Sequence, residues 1–331
     1  MLTRRKFLQS AAALPFVALV SFVSLVSLNA FAQAYPSKPV RVIVSSGPGG
    51  QTDTTARLVT SKLTQTLGQS FFVENMGGAG GNIAVMTVAR AAPDGYTILA
   101  TGSTIATSIS LFPKLSYDPQ NDFAPISLLN SSPHLLVIHP SIPAASVNEL
   151  VALARANPGK YSYSSAGPGT PAHLAGELFK LAFGVDITHV PFKGGGPGIV
   201  STRAGHTSMA VSALPTSVTY VRDGSLRALG MFSSKRASAL PGVPTMAEAS
   251  GHDLPADIVN GFLAPAKTPR TIIDAIHREI VKVMGAPDTR ERLATMGFDP
   301  VASTPEEFAT WIRTETVRWG KVVRDAKITV D

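Results

Sequence analysis

The chain has 331 residues, with 29 lysines and arginines against 22 aspartates and glutamates, a net charge of +7, and no cysteine. Without cysteine there is no disulfide, no acylated N-terminal cysteine and no thiolate metal site. The basic excess is spread along the chain with no basic block, which argues against nucleic acid as a partner.

Residues 1–34 read as an export signal. Thr3-Arg4-Arg5-Lys6-Phe7-Leu8-Gln9 has the form of a twin-arginine motif, Ala11 to Leu28 is apolar, and two small-x-small sites follow at Ala30-Phe31-Ala32 and Ala32-Gln33-Ala34. An apolar run of that length also reaches the lower edge of a membrane span. Pro15, three serines (Ser21, Ser24, Ser27) and the processing sites favour cleavage instead, after Ala32 or Ala34. Cleavage removes Arg4, Arg5 and Lys6 and no acidic residue, so the net charge falls to +4. The expected product is soluble and periplasmic, large enough for two compact domains or one large one.

The mature chain alternates strands and helices. Val40 to Val44 is a β-branched run of strand length, broken at Gly47-Pro48-Gly49-Gly50. Ala56, Val59, Leu63 and Leu67 then recur at helical spacing until Gly68 stops them. A strand, glycine turn and helix in this order suit a small anion, because the glycines expose backbone N–H groups and the helix start adds unpaired donors and a positive dipole end. Nucleotide versions fit badly. There is no G-x-x-x-x-G-K-[ST], and Thr52 stands where the third glycine of G-x-G-x-x-G belongs. Taken alone, the corner is equally an ordinary strand-to-helix turn.

The plan repeats. Phe71 to Glu74 is a strand before a second glycine corner, Asn75 to Asn82, and Tyr96 to Ala100 is a strand ending in Thr101-Gly102-Ser103-Thr104. Three βα units indicate an α/β domain with a largely parallel sheet, whose ligands sit at the carboxyl ends of the strands. Tyr117 to Pro125 reads as loop, and Leu135 to Ile138 as strand. Ser146-Val147-Asn148-Glu149 is a capping box, and Tyr161 to Ser164 is a strand. Ser165-Ala166-Gly167-Pro168-Gly169-Thr170-Pro171 then repeats the opening corner, with His173 in the first turn of the next helix. Strands are expected at Ile187 to Val190, Met209 to Ala213, Arg227 to Met231 and Ile258 to Leu263. Helices open at Thr268-Pro269 and at Thr304-Pro305-Glu306-Glu307, the latter an N-cap, Pro at N1 and a capping box together. Both are expected to pack on the first domain.

Several motifs in this order resemble one family. They are Pro48-Gly49-Gly50-x-x-Asp53, Glu74-Asn75-x-x-Gly78-Ala79-Gly80-Gly81, Pro93-Asp94-Gly95-Tyr96-Thr97 and Tyr117-Asp118-Pro119. They continue with Ser164-x-x-Gly167-x-Gly169-x-x-x-His173-Leu174, Val190-Pro191-Phe192-Lys193-Gly194 and Leu240-Pro241-x-Val243-Pro244-Thr245-x-x-Glu248. The chain resembles the Bug-type substrate-binding receptors of tripartite tricarboxylate transporters. That resemblance implies a two-lobed α/β periplasmic-binding-protein fold, each lobe a mixed, mostly parallel sheet flanked by helices, with the ligand cleft between lobes. Residues 35–137 and 258–331 would form lobe 1 and residues 138–257 an inserted lobe 2. It also implies a monomer that takes a small carboxylate and delivers it to membrane transporter subunits. In the family the loop matching Ser46 to Asp53 faces the one matching Ser165 to Thr170. Here Phe192 stands where the family more often has Tyr, and Ser45-Ser46-Gly47 departs from the commoner Pro-Phe/Tyr-x-Pro run. Both changes bear on which acid is bound.

The expected ligand-binding residues are Ser46, Gly49, Gly50, Asp53, Ser103, Thr104, Ser165, Gly167, Gly169, Thr170, His173 and Lys193. Each has a plainer reading. The glycines also suit tight turns, and Asp53, which would repel an anion, suits helix capping. His173 suits a structural role, and Lys193 a solvated one. No cofactor or metal is expected. An enzyme is poorly supported: G-x-S-x-G and H-E-x-x-H are both absent, and Ser164, Ser165 and His173 have no acid partner identifiable from spacing. A sensory receptor docking on a membrane kinase ectodomain would share every feature above.

Overall fold

The computed structural model describes residues 35–112 and 114–330. The expected export signal lies outside the described residues. Of a first unit, Met1–Ser37, only residues 35–37 are described, with a cis peptide bond between Tyr35 and Pro36. The compact unit Lys38–Asp331 carries all the elements named below.

The first sheet begins as its β-branched run predicts. Val40–Val44 forms β1, with Val40, Val42, Ile43 and Val44 all fully buried. The glycine turn leads into α1, Gln51–Leu67, which buries Ala56, Val59 and Leu63 and ends at Gly68 with φ 69. Two more βα units follow: β2 (Phe71–Asn75) with α2 (Asn82–Ala89), and β3 (Thr97–Gly102) with α3 (Thr104–Leu111). β1 pairs in parallel with both β2 and β3.

The next strand departs from expectation. β4 runs Phe123–Ser132, beginning inside the stretch read as loop through Pro125. Its polar residues Ser127, Asn130, Ser131 and Ser132 break the apolar pattern, yet the buried ones find partners far along the chain. Ser127 Oγ donates to the Ser303 carbonyl at 2.8 Å, Ser132 Oγ to the Gly297 carbonyl at 2.7 Å, and the Asn130 amide to Thr55 Oγ1 at 3.0 Å. Burial of such groups is tolerated when each is hydrogen-bonded.

The chain then crosses to a second sheet. It contains β5 (His134–Ile138), β6 (Ser162–Ser165), β7 (Thr188–Pro191), β8 (Met209–Ala213) and β9 (Arg227–Phe232), in the order β7-β6-β8-β5-β9. Its helices are α4 (Val147–Ala156), α5 (Pro171–Phe183), α6 (Gly195–Arg203), α7 (Leu214–Arg222) and α8 (Met246–Ser250). β10 (Ile258–Pro265) returns to the first sheet between β3 and β4, antiparallel to both. α9 (Arg270–Gly285), α10 (Pro287–Thr295), the short β11 (Asp299–Pro300) and α11 (Pro305–Asp325) complete the chain. Both sheets are mixed, as expected. The parallel strands β2-β1-β3 and β7-β6-β8 carry the glycine corners, and antiparallel strands complete each sheet.

Two boundaries need correction. The expected division at residues 137 and 138 falls inside β5, which pairs throughout with β8 and β9 of the second sheet. The crossing lies at Pro133, whose missing N–H ends the β4 ladder. Residues 258–331 also do not serve the first sheet alone. The capping box of Thr304 and Glu307 starts α11 as its sequence predicts, and Phe308 and Ile312 join the core with Ile43 and Leu99 of the first sheet. Farther along, Trp319, Val322 and Val323 join the core with Leu136, Phe179 and Phe232 of the second. A helix of 21 residues reaches about 31 Å, long enough to serve both.

Trp319 is 3% exposed in that second core. Trp319→Ala is expected to destabilise the protein by about 3–5 kcal/mol, read from the urea midpoint. A loss below about 1 kcal/mol would contradict the bridging role of α11.

Candidate functional site

A cavity of ≈ 420 Å³ lies between the two sheets. Its lining comes from the carboxyl ends of strands and the starts of helices on both sides. Among the expected residues, Ser46, Gly49, Gly50, Ser103, Thr104 and Thr170 line it. An adjoining cavity of ≈ 400 Å³ shares Gly80, Thr104 and Thr170 with it and is also lined by Gly169. Asp53, Ser165, Gly167, His173 and Lys193 line neither.

Those that stand back hold the loops that stand forward. Asp53 is 3% exposed. Its carboxylate accepts from the Gly49 N–H at 2.9 Å, from Arg57 Nε at 2.9 Å and from the Asn75 amide at 2.8 Å. Burial acts to raise its pKa, but these donors outweigh burial and hold it below the usual carboxylate value. Asn75 also donates to the Ser46 carbonyl at 3.0 Å. Asp53 therefore fixes the first glycine loop rather than capping α1, whose N-cap is Gly50 with no side-chain cap bond.

The second loop is built the same way. Ser165 Oγ lies 2.7 Å from His189 Nε2 and accepts from the Gly167 N–H. His173 Nδ1 accepts from the Gly169 N–H at 3.0 Å, and Thr170 Oγ1 donates to the Gly167 carbonyl at 2.7 Å. A Cβ at Gly167 would stand 3.0 Å from the Phe192 carbonyl oxygen, and one at Gly169 would stand 2.7 Å from Val330. Both glycines also take positive φ, 125° and 69°, so close approach and backbone conformation together require them. His173 and His189 stack with ring centroids 4.0 Å apart, and Tyr163 also stacks on His189, at 4.8 Å. Burial lowers the pKa of His173, and that of His189 falls to about 4 through burial and the neighbouring His173 and Lys180. Lys193 is exposed, in keeping with its solvated reading.

The amides of Gly49, Gly167 and Gly169 bond within their own loops, so backbone donors for a ligand have to come from helix starts instead. Five converge on the first cavity: α1 through Gln51 and Thr52, α3 through Thr104, α5 through Pro171 and Ala172, α6 through Gly195, and α7 through Ala213 and Thr216. Of these only α5 carries a side-chain cap, from Thr170; the other four have none. By contrast α4, α8 and α11 are closed by Ser146, Thr245 and Thr304. Among the described residues no Lys, Arg, Asp or Glu lines the cavity.

Ser103, an expected contact, has its hydroxyl engaged elsewhere. It donates to the Asp257 carbonyl at 3.2 Å and accepts from the Val259 N–H at 3.0 Å, so it pins the second crossing between the sheets. Sequence reasoning missed Gln51, Thr52, His134, Ser212 and Thr216. The first two follow Gly49-Gly50 directly and could have been found as the N1 and N2 residues of α1. Pro215 marks the start of α7 and could have led to Thr216. His134 and Ser212, single polar residues at strand ends, carry no signal. Burial lowers the pKa of His134 to about 4.

Two facing lobes with a cavity at their strand ends define a ligand-binding protein of the periplasmic-binding-protein fold. The family described as "Tripartite tricarboxylate transporter family receptor" matches residues 55–328, and the chain belongs to it. It is 36% identical over 296 residues to Protein BugT of Bordetella pertussis, covering 89% of this chain and 91% of that protein. Among solved structures it is similar to R. palustris Rpa4515 with adipate, with a TM-score of 0.78, 32% identity, and 89% of this chain and 99% of that one covered. It is likewise similar to MatC of Rhodopseudomonas palustris with bound malate, with a TM-score of 0.74, 33% identity, and 87% and 100% covered. Among the described residues no helix is long and apolar enough to cross a membrane.

Two predictions come from the supporting residues. Asp53→Ala leaves the Gly49 N–H without its acceptor and Arg57 without its carboxylate. A stability loss of about 1–3 kcal/mol is expected, together with weaker ligand binding measured by calorimetry; unchanged values of both would refute the positioning role. The second concerns pH. His134 and His189 are held neutral down to about 4, so between 6.5 and 4 the unfolded chain takes up protons that the folded chain refuses. Acidification therefore costs about 1.4 kcal/mol per pH unit for each. Asp257, raised by burial to about 6, acts in the opposite direction between 3.8 and 6 and offsets one of the two. The melting temperature should fall steadily from pH 6.5 to 4.5, and His189→Phe, which keeps a stacked ring, should flatten that slope. A flat wild-type profile would contradict the burial of neutral histidines.

Proposed function

We propose that this receptor captures a small dicarboxylate between its two lobes and delivers it to the membrane subunits of a tripartite tricarboxylate-type transporter. One observation carries the reading: five helix starts meet at a cavity that no charged side chain lines among the described residues. Each helix end is worth about half a positive charge. α1 and α3 then supply roughly one unit from the first lobe, and α5, α6 and α7 roughly one and a half from the second. That balance suits an acid with one carboxylate toward each lobe better than a monoacid, and far better than a cation. The adipate and malate in the names of two similar structures, both dicarboxylates, support the same class.

On this reading Ser46, Gly50, Thr104 and Thr170 touch the ligand together with Gln51, Thr52 and Thr216. Asp53, Ser165, Gly167 and His173 act behind them as positioning residues, and Lys193 takes no part. The protein is a monomer exported to the periplasm by residues 1–34. It is not an enzyme. Ser165 and His189 resemble a nucleophile and its base, but among the described residues no carboxylate orients the histidine, and neither residue lines the cavity.

A thermal-shift screen of the purified protein against C4 to C8 dicarboxylates, tricarboxylates and their diamides tests this. Ligand at 100 times its Kd should stabilise by about 2.7 kcal/mol, while the diamide of the same skeleton gives no shift. A diamide as effective as its diacid would sink the anion reading, and loss of the acid with appearance of a product would sink the non-catalytic one.

A further inference from the structure

The adjoining cavity of ≈ 400 Å³ has no task in a receptor whose ligand stays within the first one. The two cavities meet at Gly80, Thr104 and Thr170, which line both. Thr104 opens α3 and Thr170 caps α5, so the junction lies between helix starts of opposite lobes. Phe112, which follows α3, stands beside it: a Cβ on Gly80 would lie 3.2 Å from two carbons of the Phe112 ring. Beyond the junction the cavity is lined by Ala79 and Phe112 from the first lobe, by Pro168 from the second, and by Val330, which packs on the second core. Ala79 and Pro168 are exposed, and Phe112 and Val330 are half-buried, so each keeps apolar surface for an occupant.

The second cavity is a poor place for a carboxylate. Among the described residues no Lys, Arg or His lines it. The helix starts that reach it, those of α3 and α5, are the ones it shares with the first cavity, whereas α1, α6 and α7 reach only the first. Two of its hydroxyls are already engaged, Thr170 Oγ1 with the Gly167 carbonyl and Thr107 Oγ1 with the Thr104 carbonyl. A carboxylate moved there leaves most of the converging helix starts behind. An apolar group leaves nothing behind, and gains by exchanging water for Phe112 and its neighbours. A substituent on the middle of an acid that bridges the starts of α3 and α5 stands at the junction. We propose that the second cavity is a subsite for an apolar branch of the bound acid, so that the preferred ligand is a dicarboxylate carrying an alkyl or aryl substituent near its middle, with both carboxylates in the first cavity. The assignment rests on the carboxylate-receptor reading and narrows it to one substrate class.

Isothermal titration calorimetry with ligands of one skeleton tests it: glutarate, 3-phenylglutarate and tricarballylate carry hydrogen, phenyl and carboxylate on the same central carbon. Succinate with phenylsuccinate, and adipate with 3-phenyladipate, extend the comparison, and suberate supplies length without a branch. For the skeleton that binds, phenyl should tighten binding about tenfold over hydrogen, and tricarballylate should bind no more tightly than glutarate. Phe112→Ala removes the ring at the junction, and Thr329→Trp adds bulk at the exposed rim of the second cavity. Each should cut the ratio of phenyl to hydrogen affinity severalfold. A gain from phenyl below about threefold would overturn the branch assignment and leave the receptor reading standing. So would tricarballylate or suberate binding more tightly than the phenyl acids, or a ratio unchanged in both variants. No binding of any of the acids would instead overturn the receptor reading, and the branch assignment with it.

Discussion

A helix start leaves its first backbone N–H groups without an internal acceptor, and this protein gathers five such starts around one cavity. With no charged side chain in the lining among the described residues, backbone geometry has a large part in setting the field there. The direction of each helix, and so the register of the strand before it, becomes a functional quantity. That dependence gives a task to the polar side chains that stand behind the cavity. Asp53, Ser165 and His173 tie their own glycine loops in place, and Ser103 ties the crossing between the sheets. A helix end can be aimed only by what holds its preceding loop.

The parts of the structure legible in the sequence are those decided by short-range chemistry. Val40–Val44 declares a buried strand through its β-branched run, Gly68 ends α1 in the left-handed conformation, and Thr304 and Glu307 close the first turn of α11. The glycine corners at Gly47–Gly50 and Gly167–Gly169 declare both sides of the cleft because few other residues allow those turns. Their order along the chain also carries the family.

What was not legible depends on partners remote in sequence. β4 is hidden because Asn130 and the serines around it look like loop until Thr55, Gly297 and Ser303 arrive to bond them. The division between lobes was misplaced by a few residues because β5 is as apolar as the first-sheet strands, and only pairing distinguishes them. The glycine amides looked like the ligand donors. The structure turns the amides of Gly49 and Gly169 toward Asp53 and His173, and on the proposed reading the role passes to Gln51 and Thr52. His134 presents the extreme case: its hydrogen-bond partner is the carbonyl of Ala256, 122 residues away.

The same arrangement bears on how a receptor can both hold and release its ligand. A buried ion pair resists separation, because parting it strands a desolvated charge. Helix ends spread the opposing charge over many peptide groups in two lobes, so opening the cleft weakens the field at the ligand gradually as water returns. Three connections limit that opening: Pro133, the segment pinned by Ser103, and α11 with its two ends in different cores. Ser103 is also the residue immediately before α3, whose start faces the cavity. A rotation at the crossing therefore moves a binding helix end with it. On the proposed reading closure and binding are one mechanical event, and the crossing segment is as much a part of the site as the loops that touch the acid.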